Sequence, residues 1–220
     1  MIFNHTINRP SWQVTPCIIP IAIHTKLNGS IETYNILDAF VIHMIFNWIT
    51  VCIEMYRYIA IPEVSSGGRR YIPIGFLSPD IICSNKLQLI PDAGLYEFGI
   101  LTSNVHMAWM RVVCGRLKSD YDYSAKIVHN NFPWPDPSDP QKANIEKTAQ
   151  GILDARALYP DASLADLYDP LSMPPELRKA HQANDRAVMQ AYGMPIKETD
   201  EAACVAWLMK LYQEKVNEAK

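Results

Sequence analysis

Short apolar runs separated by polar turns predict β-strands between residues 58 and 101. β-branched and aromatic residues dominate these runs, as is typical of strands. The turn Ser65-Ser66-Gly67-Gly68 favours positive φ at its glycines. Pro73 indicates a sheet edge or the end of a strand, because proline has no N–H group to donate. The runs that predict strands are 58–62, 71–77, 95–101 and the pair 81–83 and 87–90, which form either one interrupted strand or a hairpin about Ser84-Asn85.

The pattern becomes helical after Ser103. This residue is a favourable N-cap for a helix from 104 to 113, and Gly115 follows as its stop. The spacing places four apolar residues on one face of that helix: Val105, Ala108, Trp109 and Val112.

A proline-rich linker at 133–140 separates this region from a helical tail. Start and stop signals predict helices from Asp139 to Tyr159, in a short turn at 163–166, from Pro174 to Gly193, and from Thr199 onward. The predicted fold class is therefore α+β, with a mixed strand and helix region followed by an all-helical one.

Within the helix that begins at Pro174, two polar residues fall on different faces. The spacing places Asn184 on the apolar face and Asp185 off it, so Asn184 is expected to make a structural hydrogen bond. Phe132 and Trp134 are expected to pack the end of the mixed region against the tail.

Cysteine and histidine spacing points to neither a disulfide framework nor a metal site. The five cysteines are widely separated, at 17, 52, 83, 114 and 204, and none forms a CxxC pair. The six histidines form no pair at ligand spacing. His106 lies beside Trp109 in the predicted helix, where a buried structural histidine is the expected outcome. A reducing cytoplasm fits this composition.

The first 56 residues differ from the rest of the chain. Residues 39–53 carry no formal charge but include His43 and Asn47, and they fall short of the roughly 20 apolar residues of a membrane span. A buried amphipathic helix is the favoured interpretation, and a membrane anchor over 36–53 is the alternative. This segment stays unassigned.

Cations and aromatic residues occur together in two stretches, at 69–77 and 115–121. Residues 57–131 contain eight Lys or Arg and six Asp or Glu. The tail from Asp136 contains ten Lys or Arg and fourteen Asp or Glu. Such a modest basic excess permits contact with nucleic acid without requiring it.

Several longer motifs resemble a known family. The stretches RRYIPIGFL at 69–77, LTSNVH at 101–106, GRLKSDY at 115–121, HNNFPWP at 129–135 and LADLYDPLSMPPELRKAHQANDRAVMQAYG at 164–193 resemble the C-terminal part of MmeI-like DNA methyltransferases. The resemblance begins near Tyr58. It implies a target recognition domain at 57–135 and a helical C-terminal domain at 136–220, preceded by an unrelated segment at 1–56.

The resemblance implies that double-stranded DNA is the partner. Arg116 has the planar fork that bridges guanine O6 and N7, and Lys118 suits a phosphate. Asp120 suits either a cytosine amino group or the orientation of Arg116. The candidate DNA-binding residues are Arg69, Arg70, Arg111, Arg116, Lys118, Ser119, Asp120, Tyr121 and Tyr123.

The family transfers a methyl group from S-adenosylmethionine to an adenine amino group, but its catalytic motifs are missing here. Gly67-Gly68 lacks a third glycine and a following helix, and Asn130-Asn131-Phe132-Pro133-Trp134 lacks the paired prolines of the adenine-binding motif. We therefore expect no cofactor, metal or catalytic residue in this chain. It is interpreted as a piece of an adenine-N6 methyltransferase that recognises a specific duplex sequence, encoded by a truncated gene and partnered by a catalytic part. The alternatives are a helical module that docks onto a separate catalytic subunit, and a membrane-associated protein.

Overall fold

The structure is a computed structural model that describes residues 15–16, 57–81 and 83–218. Its strands form two small antiparallel sheets. The strands are β1 (Thr15–Pro16), β2 (Tyr58–Pro62), β3 (Val64–Ser65), β4 (Gly75–Leu77), β5 (Leu87–Pro91), β6 (Gly115–Leu117) and β7 (Asp120–Asp122). The first sheet has the order β1-β5-β2-β4 and the second has the order β3-β7-β6.

Helices lie between β5 and β6 and after β7. They are α1 (Leu95–Leu101), α2 (Asn104–Val113), a π-helical turn (Ala125–His129), α3 (Asp139–Ala157), α4 (Leu164–Leu167), α5 (Pro175–Ala191) and α6 (Glu201–Glu218). Small antiparallel sheets followed by a helical region confirm the predicted α+β class.

The local signals for helix ends were largely correct. The Ser103 hydroxyl accepts the His106 N–H group, and Ser163 forms a capping box with Asp166. Pro174 is the N-cap of α5, and Gly193, just beyond the end of that helix, has a φ of 69°. For α3 the N-cap is Ser138, one residue earlier than predicted.

The prediction of a strand at 95–101 was wrong, because this segment is α1. The Gly94 N–H group donates to Glu97 Oε2 at 2.7 Å, which satisfies one free amide at the start of the helix. Phe98 to Leu101 are all buried. Burial on every side removes the periodicity by which a helix is distinguished from a strand.

The strands are also shorter than predicted. Only 75–77 of the run 71–77 pairs, and Ile81 and Cys83 lie outside any strand. Gly67 and Gly68 do not have positive φ, contrary to the turn prediction.

A continuous hydrophobic cluster joins the mixed region to the helical tail. Asn184 on α5 donates to the Gly99 carbonyl of α1 at 2.7 Å and accepts from Thr148 of α3 at 3.1 Å. Phe132 packs edge-on against Tyr192 with ring centroids 6.5 Å apart, and Tyr192 donates to the Pro133 carbonyl. The structural hydrogen bond of Asn184 and the packing role of Phe132 are thus as predicted.

The division of the chain at 56/57 and 135/136 stays a prediction. The segment 36–53 lies outside the described residues. Within the described residues from 57 onward, no helix combines the length and apolar character that crossing a membrane requires.

Candidate nucleic-acid interface

The basic stretch that follows α2 forms a β-hairpin. Strands β6 and β7 pair antiparallel, with Arg116 opposite Tyr121 and Leu117 opposite Asp120. Lys118 and Ser119 form the exposed tip. Lys118 has a φ of 58°, a conformation that residues with a side chain rarely adopt and that is common in tight hairpin turns. The hairpin therefore projects the Lys118 side chain from a constrained turn.

The glycine-rich loop packs directly against this tip. A Cβ atom at position 67 would lie 2.5 Å from the Ser119 carbonyl oxygen, so only glycine allows the two backbones to approach so closely. The Gly67 N–H group also donates to Asp120 Oδ1, at 3.4 Å. These contacts bring together the two basic stretches, which are far apart in the sequence.

The Arg116 guanidinium lies over an aromatic ring. Its guanidinium carbon lies 4.2 Å from the centre of the Tyr121 ring. Tyr121 is buried, whereas Arg116 is exposed. Among the described residues, neither Arg116 nor Lys118 forms an ion pair with a carboxylate. A stacked arginine keeps its planar fork ordered before a ligand arrives.

Arg69 and Arg70 lie in the loop beside the hairpin. Arg69 Nη2 donates to the Ala165 carbonyl at 3.4 Å, and Arg70 Nε donates to the Tyr71 hydroxyl at 3.2 Å. Arg70 is exposed and Arg69 is half-buried. Neither forms an ion pair within the described part of the chain. Both are therefore available to an anion that approaches the loop.

Arg111 differs from these residues because its guanidinium is already occupied. It forms an ion pair with Glu201 at 3.0 Å and donates to the Arg70 carbonyl, also at 3.0 Å. Its Nε donates to the Tyr121 hydroxyl at 3.3 Å. Although Arg111 is a candidate DNA-binding residue, its side chain is only 23% exposed. Direct contact with DNA would require these bonds to break.

Two candidates are buried. Tyr121 is 5% exposed and Tyr123 is 1% exposed. The Tyr123 hydroxyl lies 3.2 Å from His106 Nε2, and burial raises the pKa of Tyr123. His106 is itself completely buried, as expected of a structural histidine, and burial lowers its pKa to about 4. The positions of both tyrosines favour packing over contact with a partner.

The sequence analysis missed Asp185, which it placed away from the apolar face. The side chain is buried, and Asp185 Oδ1 accepts the Asn104 N–H group at the start of α2 at 2.8 Å. Asp185 Oδ2 accepts from the Tyr71 hydroxyl at 2.7 Å. Burial raises the pKa of Asp185 to about 6. Helical spacing within α5 could not reveal this role, because both partners come from distant segments.

A cleft of about 400 Å³ lies between the loop and the start of α6. Its lining includes Arg69, Arg70 and Arg111 together with Asp200 and Glu201. Among the described residues, no group of three His, Cys, Asp or Glu side chains could hold a metal ion.

Comparison with known proteins places this architecture in a family. The family model of the MmeI target recognition domain matches residues 44–136, and that of the MmeI C-terminal domain matches residues 137–219. The first match begins before Tyr58, so it includes part of the segment that the sequence analysis left unassigned. The chain thus combines a target recognition domain with the C-terminal domain that follows it.

Known relatives agree with this assignment. The chain is 46% identical over 156 residues to DNA methyltransferase A of Bacillus subtilis (strain 168), an alignment that covers 71% of this chain and 18% of that protein. It is also 48% identical, with a TM-score of 0.71, to the Type IIL restriction-modification enzyme MmeI, solved in complex with DNA; this match covers 73% of the chain and 21% of the enzyme.

The chain belongs to the MmeI family of restriction-modification methyltransferases, which confirms the resemblance seen in its motifs. It spans about a fifth of the length of the relatives that it matches.

Proposed function

We propose that this chain recognises a specific duplex DNA sequence through the hairpin β6–β7 and the adjoining loop at 66–70. The observation that carries the proposal is the close contact of Gly67 with Ser119, which gathers exposed cations from two segments onto one surface. That surface belongs to a chain that matches a target recognition domain, and the similar enzyme MmeI was solved in complex with DNA.

Arg116 is the proposed base reader. Its guanidinium is exposed, forms no ion pair among the described residues and is pre-ordered by the Tyr121 ring. A planar fork can donate to guanine O6 and N7 together, which a lysine cannot do. Stacking reduces the side-chain entropy that is lost on binding.

The remaining exposed polar groups are proposed to contact the DNA backbone. Lys118 projects from the tip of the hairpin as a mobile point charge, and Ser119 next to it can donate a hydrogen bond to a phosphate oxygen. Arg69 and Arg70 can contact phosphates from the neighbouring loop. Asp120 is proposed to hold the loop through the Gly67 N–H group and not to contact a base.

Methyl transfer is proposed to take place outside the matched residues. The relatives are about four times as long as this chain, and their names assign methyltransferase or restriction-modification activity to the whole proteins. In this proposal the chain supplies recognition within an adenine-N6 methyltransferase and does not itself bind S-adenosylmethionine. A cytoplasmic location, where the target DNA lies, accords with the proposal.

Separate substitution of the two hairpin cations tests the proposal. Preferred duplexes are first selected with the unmodified chain from a pool randomised at its centre, and binding is then measured at several salt concentrations. Arg116→Ala should cost about 1–3 kcal/mol on the preferred duplex and relax selection at one base pair. Lys118→Ala should weaken binding to all duplexes alike and reduce the salt slope by about one.

The two variants are controls for each other because they lie on the same exposed hairpin. Binding and selection that are unchanged in both would contradict the proposal and favour a module that docks on another protein.

A further inference from the structure

Arg111 connects three separate parts of the molecule through one guanidinium group. Nη1 reaches Glu201, Nη2 reaches the Arg70 carbonyl and Nε reaches the Tyr121 hydroxyl. Each of its three nitrogen atoms therefore already has a protein partner. A planar guanidinium with a fixed donor geometry constrains all three partners at once.

Each of these partners belongs to the proposed DNA surface or to the helical tail. The Arg70 carbonyl belongs to the glycine-rich loop. Tyr121 carries the stacked guanidinium of Arg116 on its ring. Glu201 is the first residue of α6 and so belongs to the helical tail. Arg111 is the residue at which the loop, the hairpin and the tail meet.

We propose that Arg111 is a positioning residue for DNA recognition, which fixes the Tyr121 ring beneath Arg116 and the backbone of Arg70 without touching DNA itself. The inference rests on the proposed function of the hairpin. It assigns Arg111 a role different from that of Arg116, although both are arginines beside the same surface.

The strength of the three contacts indicates which of them matters most. The Glu201 carboxylate is more than half exposed, so this ion pair is weakened by solvent and salt. The hydrogen bonds to the Tyr121 hydroxyl and the Arg70 carbonyl require the fixed donor directions of the guanidinium group, which lysine does not reproduce. Loss of the fork should therefore affect the hairpin more than loss of the ion pair does.

The test compares the variants Arg111→Lys, Arg111→Gln, Tyr121→Phe and Glu201→Gln in the full chain. Arg111→Lys keeps the charge but loses the fork, and Tyr121→Phe removes only the hydroxyl while it leaves the ring under Arg116. Arg186→Lys, an exposed position on α5, is the control for an arginine-to-lysine change. The probes are the preferred duplex from the randomised pool and its single-base-pair variants, and thermal unfolding shows that each variant is folded.

We expect Arg111→Lys to reduce the preference at the base pair read by Arg116 by roughly tenfold, within the range for coupled residues in contact. Tyr121→Phe should act on the same base pair, and neither variant should change the salt slope. In an Arg116→Ala background, Arg111→Lys should have little further effect on preference. Glu201→Gln and Arg186→Lys should leave the preference unchanged.

Other outcomes would overturn the inference in distinguishable ways. If the charge-removing variant Arg111→Gln flattens the salt slope by about one and weakens all duplexes alike, Arg111 is a phosphate contact. Unchanged preference in a folded Arg111→Lys variant, while Arg116→Ala relaxes it, refutes the positioning role alone. If the unmodified chain selects no duplex, the proposed function fails, and the inference fails with it.

Discussion

Gly67 allows the loop backbone to approach the hairpin tip more closely than any residue with a Cβ atom could. The neighbouring Gly68 faces a different environment, since a Cβ atom there would have no neighbour closer than 3.9 Å. Two adjacent glycines of the same motif thus have different requirements. The two glycines differ in how close their neighbours lie and not in backbone conformation, because neither adopts positive φ.

Substitution of each glycine by alanine should separate these requirements. Gly67→Ala should force the loop away from Ser119, lower the free energy of unfolding by about 1–3 kcal/mol and weaken DNA binding. Gly68→Ala should be neutral or stabilise by up to about 1 kcal/mol, because alanine restricts the unfolded chain. Urea denaturation and duplex binding measure both effects. Equal behaviour of the two variants would show that the loop does not depend on this contact.

At the level of elements, α1, α3 and α5 meet at Gly99. A Cβ atom at this position would lie 2.7 Å from Ile145 Cγ2 and 3.1 Å from Asn184 Oδ1. The Gly99 carbonyl accepts from Asn184, so the same residue provides both space and a hydrogen bond. This crossing anchors the helical tail to the mixed region.

Gly99→Ala should destabilise the protein despite the higher helix propensity of alanine. Overpacking costs about 1–3 kcal/mol, and the propensity gain of about 1 kcal/mol offsets only part of it. Gly151 within α3 is the matched control, since a Cβ atom there would meet nothing within 4 Å. Gly151→Ala should raise the free energy of unfolding by about 1 kcal/mol. A stabilised Gly99→Ala variant would mean that the helices can separate without cost.

At the scale of the whole molecule, the three buried histidines among the described residues make stability sensitive to acid. Burial lowers the pKa of His106 to about 4, and those of His129 and His181 to about 3. The unfolded chain binds protons to these groups near pH 6.5, whereas the folded chain does not. Their contribution to stability is therefore complete above pH 6.5 and is lost as the pH falls toward the folded values.

Asp185 changes the pH dependence of stability in the opposite direction. Its pKa is raised by burial to about 6, from 3.8 in the unfolded chain, so between these values the folded state binds the extra proton. Its contribution to the free energy of unfolding is present below pH 3.8 and is lost as the pH rises to 6. Each group changes the free energy of unfolding by about 1.4 kcal/mol per pH unit, so three histidines outweigh one aspartate.

We expect stability to fall by about 3 kcal/mol per pH unit between pH 6 and about 4.5, as measured by urea denaturation at a series of pH values. Asp185→Asn should steepen this dependence, and His181→Gln should make it shallower, each by about 1.4 kcal/mol per pH unit. A flat profile over this range would show that the histidines titrate alike in the folded and unfolded states.

The sequence by itself determined the features that depend on neighbouring residues. The caps at Ser103, Ser163 and Pro174, the strand β2 and the helical tail follow from local hydrogen bonding and backbone preference, which act over a few residues. The family motifs and the basic residues of the hairpin were also readable from the sequence, because residue type alone carries them.

The tertiary structure alone decided which of these residues meet. The segment 95–101 is a helix whose buried residues Phe98 to Leu101 leave no periodic pattern by which the sequence could reveal it. The contact of Gly67 with Ser119, the contacts of Asp185 with Tyr71 and Asn104, and the three partners of Arg111 join positions distant in the sequence. Local propensity acts within one turn or strand, so contacts between distant segments, and the surface that they form, arise only when the chain packs.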